Sequence, residues 1–413
     1  MRVLNSTKSY GSLLLFIFWP FLAVFDAFRN YKSEQSKNVI WLFVIYFGST
    51  FVFAKDSDST RYYEDLEILA KIEGYSIIGF FLDTISVRID FVQPVLTFLV
   101  SRFSTDGNVL FSFFGLIYGY FYSRNIWILI DRAAVRIRPE ALGFLLYFAF
   151  LSTFANINGF RYWTGLQVFV FGILNYFLLE RKTKGILFIL SSVFFHDTLI
   201  IAISITISFI LIPLRNIYFY ILLYFISLGF SQLSSTIISD TMDAFLGTVR
   251  DRQGYLNEEY AEEYFALKEN VNWYVKYKYL FSDLLLGGSI LFLTIRRKLF
   301  LTNNKIVEPL VCLGLTMVSF TNLVNYIPSM ARFYYLGYFP IAIAFFVFFQ
   351  DYYMGRRPEW YKITVLVIML IFSFTEFWST LNYTSFEALF GNPFTAYLTK
   401  SNTSIYLLIK SIF

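Results

Sequence analysis

Long apolar stretches alternate with short polar breaks along the chain, and the length of each stretch sets the expected elements. A bilayer crossing needs about 20 predominantly apolar residues. On that measure membrane helices are predicted at 10 to 28, 38 to 54, 108 to 123, 141 to 157, 160 to 180, 216 to 237, 279 to 297, 306 to 325, 331 to 350 and 361 to 380. The stretch 182 to 213 is ambiguous on pattern alone. Residues 77 to 104, interrupted by Arg88, Asp90 and Pro94, are too broken for a clean span and predict an interfacial or re-entrant segment. The chain shows no internal repeat and no inverted-repeat symmetry of the kind many transporters carry.

Charge placement resolves the ambiguous stretch. Basic clusters fall at Arg29, Lys32 and Lys37; at Arg124, Arg132, Arg136 and Arg138; at Arg181, Lys182 and Lys184; at Arg296, Arg297, Lys298 and Lys305; and at Arg356, Arg357 and Lys362. By the positive-inside rule these loops are cytoplasmic. Segments 55 to 107 and 238 to 278 instead carry Asp56, Asp58, Glu64, Asp65, Glu67, Asp240, Asp243, Glu258, Glu259, Glu262 and Glu263, and belong outside. From the inner loop at 181 to 184 to the outer loop at 238 the number of crossings must be odd. The span 216 to 237 supplies one, so 182 to 196 goes out and 197 to 213 returns. The turn then falls at His196-Asp197-Thr198. The result is an all-α polytopic membrane protein of about 12 spans, with both termini outside. Residues 1 to 413 form a single integral membrane domain, segment 55 to 107 is an outer loop, and 238 to 278 is a large outer loop able to fold as short amphipathic helices. The first stretch has only Arg2 and Lys8 before it and no small-residue cleavage site after it, so it reads as a retained helix; no soluble extension is expected at either end.

Composition agrees and narrows the chemistry. Of 413 residues 57% are hydrophobic, 22% aromatic and only 15% charged, against about a quarter charged in a soluble domain, which excludes a soluble fold of this size. The single Cys312 excludes an intrachain disulfide and a cysteine metal site, and the single histidine excludes a His-rich zinc site and paired haem ligands. With no phosphate-binding glycine loop and no Gly-x-Ser-x-Gly elbow, ATP hydrolysis by this chain is not expected. No metal and no cofactor is expected.

Ionisable groups near the membrane are costly and therefore informative, and nearly all of them lie on the outer side. Asp58, Arg61 and Tyr62 follow the second span. Asn158 and Arg161 open the fifth, three residues apart and so on one helical face. His196 and Asp197 form the turn just placed, and Arg332 opens the eleventh span. The fifth, seventh and eleventh spans run from outside to inside, so their N-termini, with unpaired N–H groups and partial positive charge, face the outer leaflet. Two guanidinium forks added to such ends suit phosphate oxygens. Plainer uses exist for each residue. Arg161 and Arg332 can snorkel or pair with local acids, His196 can be a helix-end histidine satisfied by a carbonyl, Asp58 can be an ordinary loop acid, and Asp197 can be an N-cap.

These pieces, in this order, resemble the EpsG-type exopolysaccharide polymerases, relatives of the Wzy-type O-antigen and capsule polymerases. The matching elements are Asp58-x-x-x-Tyr62, Phe103-Ser-Thr-Asp-Gly-Asn-Val-Leu-Phe111, Asn158-x-x-Arg161, Phe195-His196 and Arg332-Phe333. Two positions depart from the pattern: Tyr162 follows the arginine where glutamine is frequent, and Asp197 follows the histidine where small or aromatic polar residues are common. The resemblance implies a membrane glycosyltransferase of GT-C-like architecture in a bacterial cytoplasmic membrane, with its active site on the outer, periplasmic face. It implies transfer of a growing glycan from polyprenyl diphosphate onto a lipid-linked repeat unit. His196 and then Asp58 are the candidates for the catalytic base, Arg161, Arg332 and Asn158 for the diphosphate, and Arg61, Tyr62 and Asp197 for support. The implied partners are polyprenyl-diphosphate-linked oligosaccharides and the bilayer, with a flippase and a chain-length regulator beside them and no nucleic acid. The alternatives are a lipid-linked oligosaccharide flippase, which would want ionisable groups at mid-depth, and a membrane acyltransferase, which would want its histidine reachable from the cytoplasm.

Overall fold

The computed structural model describes residues 10–54, 57–133, 136–212, 216–230, 305–325, 330–352, 359–399 and 403–412, with 282, 287 and 288. The expected span 279 to 297 and the loop 238 to 278 lie outside the described residues, apart from those three positions. Among the described residues every regular element is a helix, and β-pairing is confined to two isolated bridges, Phe51 with Thr384 and Ser385 with Ser404. In chain order the helices used below are α1 (Gly11–Phe18), α2 (Pro20–Arg29), α3 (Ser36–Ser49), α4 (Asp58–Ala70), α5 (Ile77–Val87), α6 (Val92–Ser101) and α7 (Gly107–Arg132). They continue with α8 (Pro139–Phe150), α9 (Phe160–Ile173), α10 (Lys182–Ser191), α11 (Leu199–Leu211), α12 (Ile217–Phe230), α13 (Val307–Val324), α14 (Tyr334–Val347) and α15 (Glu359–Thr380).

Several spans differ from expectation for local reasons. The stretch 10 to 28 is two helices, because Pro20 has no N–H to continue a helix and pushes the residue before it, Trp19, out of the helical region. Helix α7 is 26 residues, about 39 Å at 1.5 Å per residue, and carries Arg124 and Arg132 on its final turns rather than in a loop. The stretch 141 to 157 ends as a helix at Phe150; a 3-10 turn, Phe154–Gly159, follows, entered through a capping box between Thr153 and Asn156. The stretch 182 to 213 is two helices with a turn at 195–198, where charge parity predicts it. Among the described residues three stretches are, by length and composition, long and apolar enough to cross a membrane: Pro139–Leu178, Val307–Val324 and Met330–Asp351.

The chain divides into two compact units, each assembled from separated segments. The first holds residues 1–137, 152–203 and 376–413, the second 138–151 and 204–375.

In the first unit α3 and α7 approach closely through glycine. Gly48 faces the backbone at Phe111 and Ser112, Gly115 faces Val44, and Gly119 faces Val44 and Trp41. The helices therefore run antiparallel, along a Gly115-x-x-x-Gly119 seam of the kind that lets membrane helices pack backbone to backbone. Phe16 meets Tyr46 and Phe21 meets Phe43, which sets α1 and α2 antiparallel to α3. Helix α9 runs parallel to α7, with Phe114 stacked on Phe160 at 4.0 Å near one end and the Asn125 amide donating to Gln167 Oε1 at 2.7 Å further along. Gly172 and Gly185 admit α10 antiparallel to α9. These relative directions are the ones the charges predict. Gly48→Ala places a methyl against the Phe111 backbone and should lower the thermal midpoint of the purified protein, at a cost of about 1–3 kcal/mol. Gly229→Ala, with nothing within 4 Å of the added carbon, is the control, and equal midpoints for the two would remove the seam as a stabilising feature.

In the second unit Phe144 of α8 stacks on both Phe345 and Phe349, at 5.2 and 5.3 Å. Gly314 and Gly337 bring α13 and α14 into backbone contact. Asn322 of α13 donates to Ser227 Oγ at 2.9 Å and accepts from the Tyr334 hydroxyl at 2.8 Å.

Candidate functional site

The helix directions of the first unit sort its charges by end. One end collects the C-terminus of α2, the N-termini of α3 and α10 and the last turns of α7, and it is basic. There Arg124 lies over Trp41 at 5.1 Å and Tyr120 at 4.8 Å and donates to Asn38 Oδ1 at 2.7 Å, an arrangement that anchors a long cation on aromatic faces. The opposite end collects the start of α4, the N-termini of α7 and α9, and the turn between α10 and α11. Seven of the eight residues singled out from sequence are at this second end.

Helix α4 is amphipathic: Ser59, Tyr62 and Leu66 are buried and its charged residues face outward. Asp58 pairs with Arg61 across one turn. The Ser59 N–H donates to Asn158 Oδ1 at 3.2 Å, and the Asn158 amide donates to the Tyr383 hydroxyl at 3.2 Å. Asn158 thus ties α4 to the entrance of α9. The junction is tight at Gly159, where a Cβ would stand 3.1 Å from Trp163 and 3.4 Å from Asp58 Oδ2. Tyr62 points into the core, edge-on to Phe114 at 5.5 Å, and contributes packing.

Arg161 of α9 pairs with Asp90. The other Asp90 oxygen accepts from Arg88 Nε at 2.8 Å. The Asp90 side chain is 3% exposed, while those of Arg161 and Arg88 are 27% and 36% exposed, so the carboxylate lies beneath the two cations. Asp65 of α4 belongs to the same field: partial burial raises its carboxyl, and Arg61, Arg88 and Arg161 pull it back without cancelling the rise. The segment that bears Arg88 and Asp90 is a helical hairpin, α5 and α6, latched to the end of α4 by Arg102, which donates to the carbonyls of Leu69 and Ile72 and lies 4.5 Å over Phe98. Helix α5 buries none of its side chains and exposes Ile77, Ile78, Leu82, Ile85 and Val87.

His196 is 6% exposed and stands edge-on to Tyr162 at 5.6 Å. Its Nδ1 accepts from the Thr198 N–H at 3.3 Å, lies 2.7 Å from Thr198 Oγ1 and is 3.3 Å from Asp197 Oδ1. A neutral ring that accepts at Nδ1 carries its proton on Nε2. In this state His196 offers a donor at Nε2. Gly165 lets α9 approach the turn, since a Cβ there would meet Leu199, Phe195 and the Ser192 carbonyl, and Phe91 beside Asp90 touches Phe194 at 5.3 Å. The turn and the arginine pair are therefore packed against the same stretch of α9.

Arg332 lies in the second unit, on the 3-10 turn Met330–Phe333 that leads into α14, two residues before Tyr334. The residues that sequence reading missed are Asp90, Arg88, Asp65 and Tyr383. Asp90 and Arg88 were visible only as interruptions of an apolar stretch, and nothing in the sequence links them to Arg161. Among the described residues no group of three or more His, Cys, Asp or Glu could hold a metal ion. No family model, no curated protein and no solved structure matches the chain, so the resemblance to the polymerases rests on the motifs quoted above.

Proposed function

We propose that the protein is a polysaccharide polymerase of the EpsG and Wzy type, with about 12 spans and a GT-C-like arrangement, seated in a bacterial cytoplasmic membrane with its site on the outer face. The observation that carries this reading is the pairing of Arg161 and Arg88 over a buried carboxylate, at the end of the first unit that also holds Asn158, Asp58 and the His196 turn. A guanidinium fork in the first turn of α9, with Arg88 beside it across the shared carboxylate, suits a diphosphate, and helix α5, apolar on its open sides, suits the membrane interface from which a polyprenyl-linked substrate arrives.

In the reaction an acceptor-sugar hydroxyl oxygen bonds to the anomeric carbon of the donor glycan as the bond to the diphosphate oxygen breaks. The hydroxyl proton passes to a carboxylate, and the negative charge that develops on the leaving polyprenyl diphosphate is met by Arg161 and Arg88. Fixed donors of this kind typically contribute about 10² to 10³ in rate each. Asp58 takes the role of base, because Nδ1 of His196 is engaged by Thr198; His196 donates from Nε2 to substrate oxygen.

Deletion of the gene tests the class. Loss of the polymerase should leave single repeat units on the cell surface, loss of a flippase none, and loss of an acyltransferase full-length chains lacking a substituent. Purified protein supplied with lipid-linked repeat units should make polymer without added metal or nucleotide. A deletion strain with normal chain lengths would sink the proposal.

A further inference from the structure

We infer that Asp90 is the positioning residue of the anion site: it fixes Arg161 in the orientation from which its guanidinium meets a diphosphate. This rests on reading the Arg161 end of the first unit as the diphosphate site. Asp90 sits on the short connection between α5 and α6, far in sequence from α9, and its carboxylate is 3% exposed. A buried carboxylate stays ionised only when paired, and here both oxygens are taken, one by Arg161 and the other by Arg88 Nε at 2.8 Å. A flexible arginine at a helix start samples many rotamers. Anchored from below through one nitrogen, with its side chain still 27% exposed, it is held in one orientation, which is how an outer carboxylate orients a ligand-binding group elsewhere. Arg88 completes the anchor by holding the carboxylate from its other side.

Electrostatics alone argues the opposite way. A carboxylate beside Arg161 cancels part of its charge, so a merely competing Asp90 weakens Arg161 as an anion ligand, and its removal strengthens that ligand. The sign of the coupling between Asp90 and Arg161 therefore separates positioning from competition.

The test uses the full-length protein in lipid nanodiscs and farnesyl diphosphate as the probe. Dissociation constants are measured on folded, monodisperse protein for the parental chain, Asp90→Asn, Arg161→Ala and the double substitution, with the binding-competent fraction fixed by saturation so that lost stability is not counted as lost affinity. Arg161→Ala should weaken binding about tenfold or more in the parental background and by less than about twofold when Asp90 is already asparagine, the ratio giving the coupling. Arg88→Gln, at a half-exposed position, removes the other anchor and should shrink the Arg161 effect in the same direction by a smaller factor, which keeps the question answerable if Asp90→Asn does not fold. An Arg161 effect that is unchanged or larger in both backgrounds overturns the positioning role. Coupling of the expected sign in a protein that makes no polymer removes the polymerase reading and leaves the role of Asp90 standing. Polymer formation without the coupling does the reverse, and a parental protein that binds no diphosphate removes both.

Discussion

Arg161→Lys should cut polymer formation by about one to two orders of magnitude while the protein accumulates in the membrane at its parental level. The separation of these two effects follows from the geometry. A buried carboxylate stripped of one partner is strongly destabilising, about 3–5 kcal/mol when a buried pair is broken, so Arg161→Ala confounds folding with activity. Lysine keeps a positive charge within reach of Asp90 and spares the fold. What it loses is the fork. An ammonium is a compact point charge, whereas guanidinium presents several donors in one plane, so one can rest on the carboxylate while others address phosphate oxygens. In the proposed reaction the loss belongs in turnover more than in substrate affinity, because the charge on the leaving diphosphate would grow as the glycosidic bond breaks. Chain-length distribution on the cell surface and initial rates with purified protein both report it. Arg332→Lys carries the same expectation from sequence alone, and it is the independent check on the second unit. Parental rates in Arg161→Lys would reduce this residue to a structural partner of Asp90, one of the plainer uses the sequence already allowed.

Much of the architecture was legible in the chain because membrane helices answer to coarse rules. Among the described residues apolar length located most of the long helices, three stretches being long and apolar enough to cross a membrane. Charge parity alone divided 182 to 213 and put its turn at His196, where the structure has it. What failed was finer. The break before Pro20 was written in a single residue that a hydropathy window averages away. The extension of α7 to Arg132 was hidden because polar residues on a helix and in a loop look alike in sequence. At the site, the sequence marked Asn158, Arg161 and His196 by their positions at helix starts and turns. It could not mark Asp90, whose importance is a contact across 71 residues, and no local pattern encodes such a contact. Tyr62, one turn after Asp58, packs on Phe114 while Asp58 pairs with Arg61 at the surface, a division of buried and exposed faces that the motif alone does not state.

Two substitutions of the single histidine should behave differently. In His196→Asn the amide oxygen sits close to where Nδ1 stands and can accept from the Thr198 N–H, so the turn between α10 and α11 keeps its hydrogen bond. Nothing then occupies the place of Nε2. In His196→Gln the longer amide reaches toward Nε2 and supplies a donor there, but the Thr198 N–H, in a buried turn, loses its acceptor at a cost of about 1–3 kcal/mol. If His196 acts through Nε2, the asparagine variant should be folded and slow, losing about 10² to 10⁴ in rate. The glutamine variant should be less stable to heat and faster than the asparagine variant. If the histidine serves only the turn, the order reverses: asparagine approaches the parental rate and glutamine fails in both stability and activity. Thr198→Val completes the set, because it removes the hydroxyl 2.7 Å from Nδ1 while leaving the backbone donor in place. It should keep most of the activity if the backbone N–H alone holds the ring, and a loss as deep as that of His196→Asn would move the orienting role to the hydroxyl. Thermal midpoints and initial polymerisation rates on the same four preparations, the parental protein and its three variants, decide among these outcomes, since stability follows the Nδ1 side of the ring and rate follows the Nε2 side.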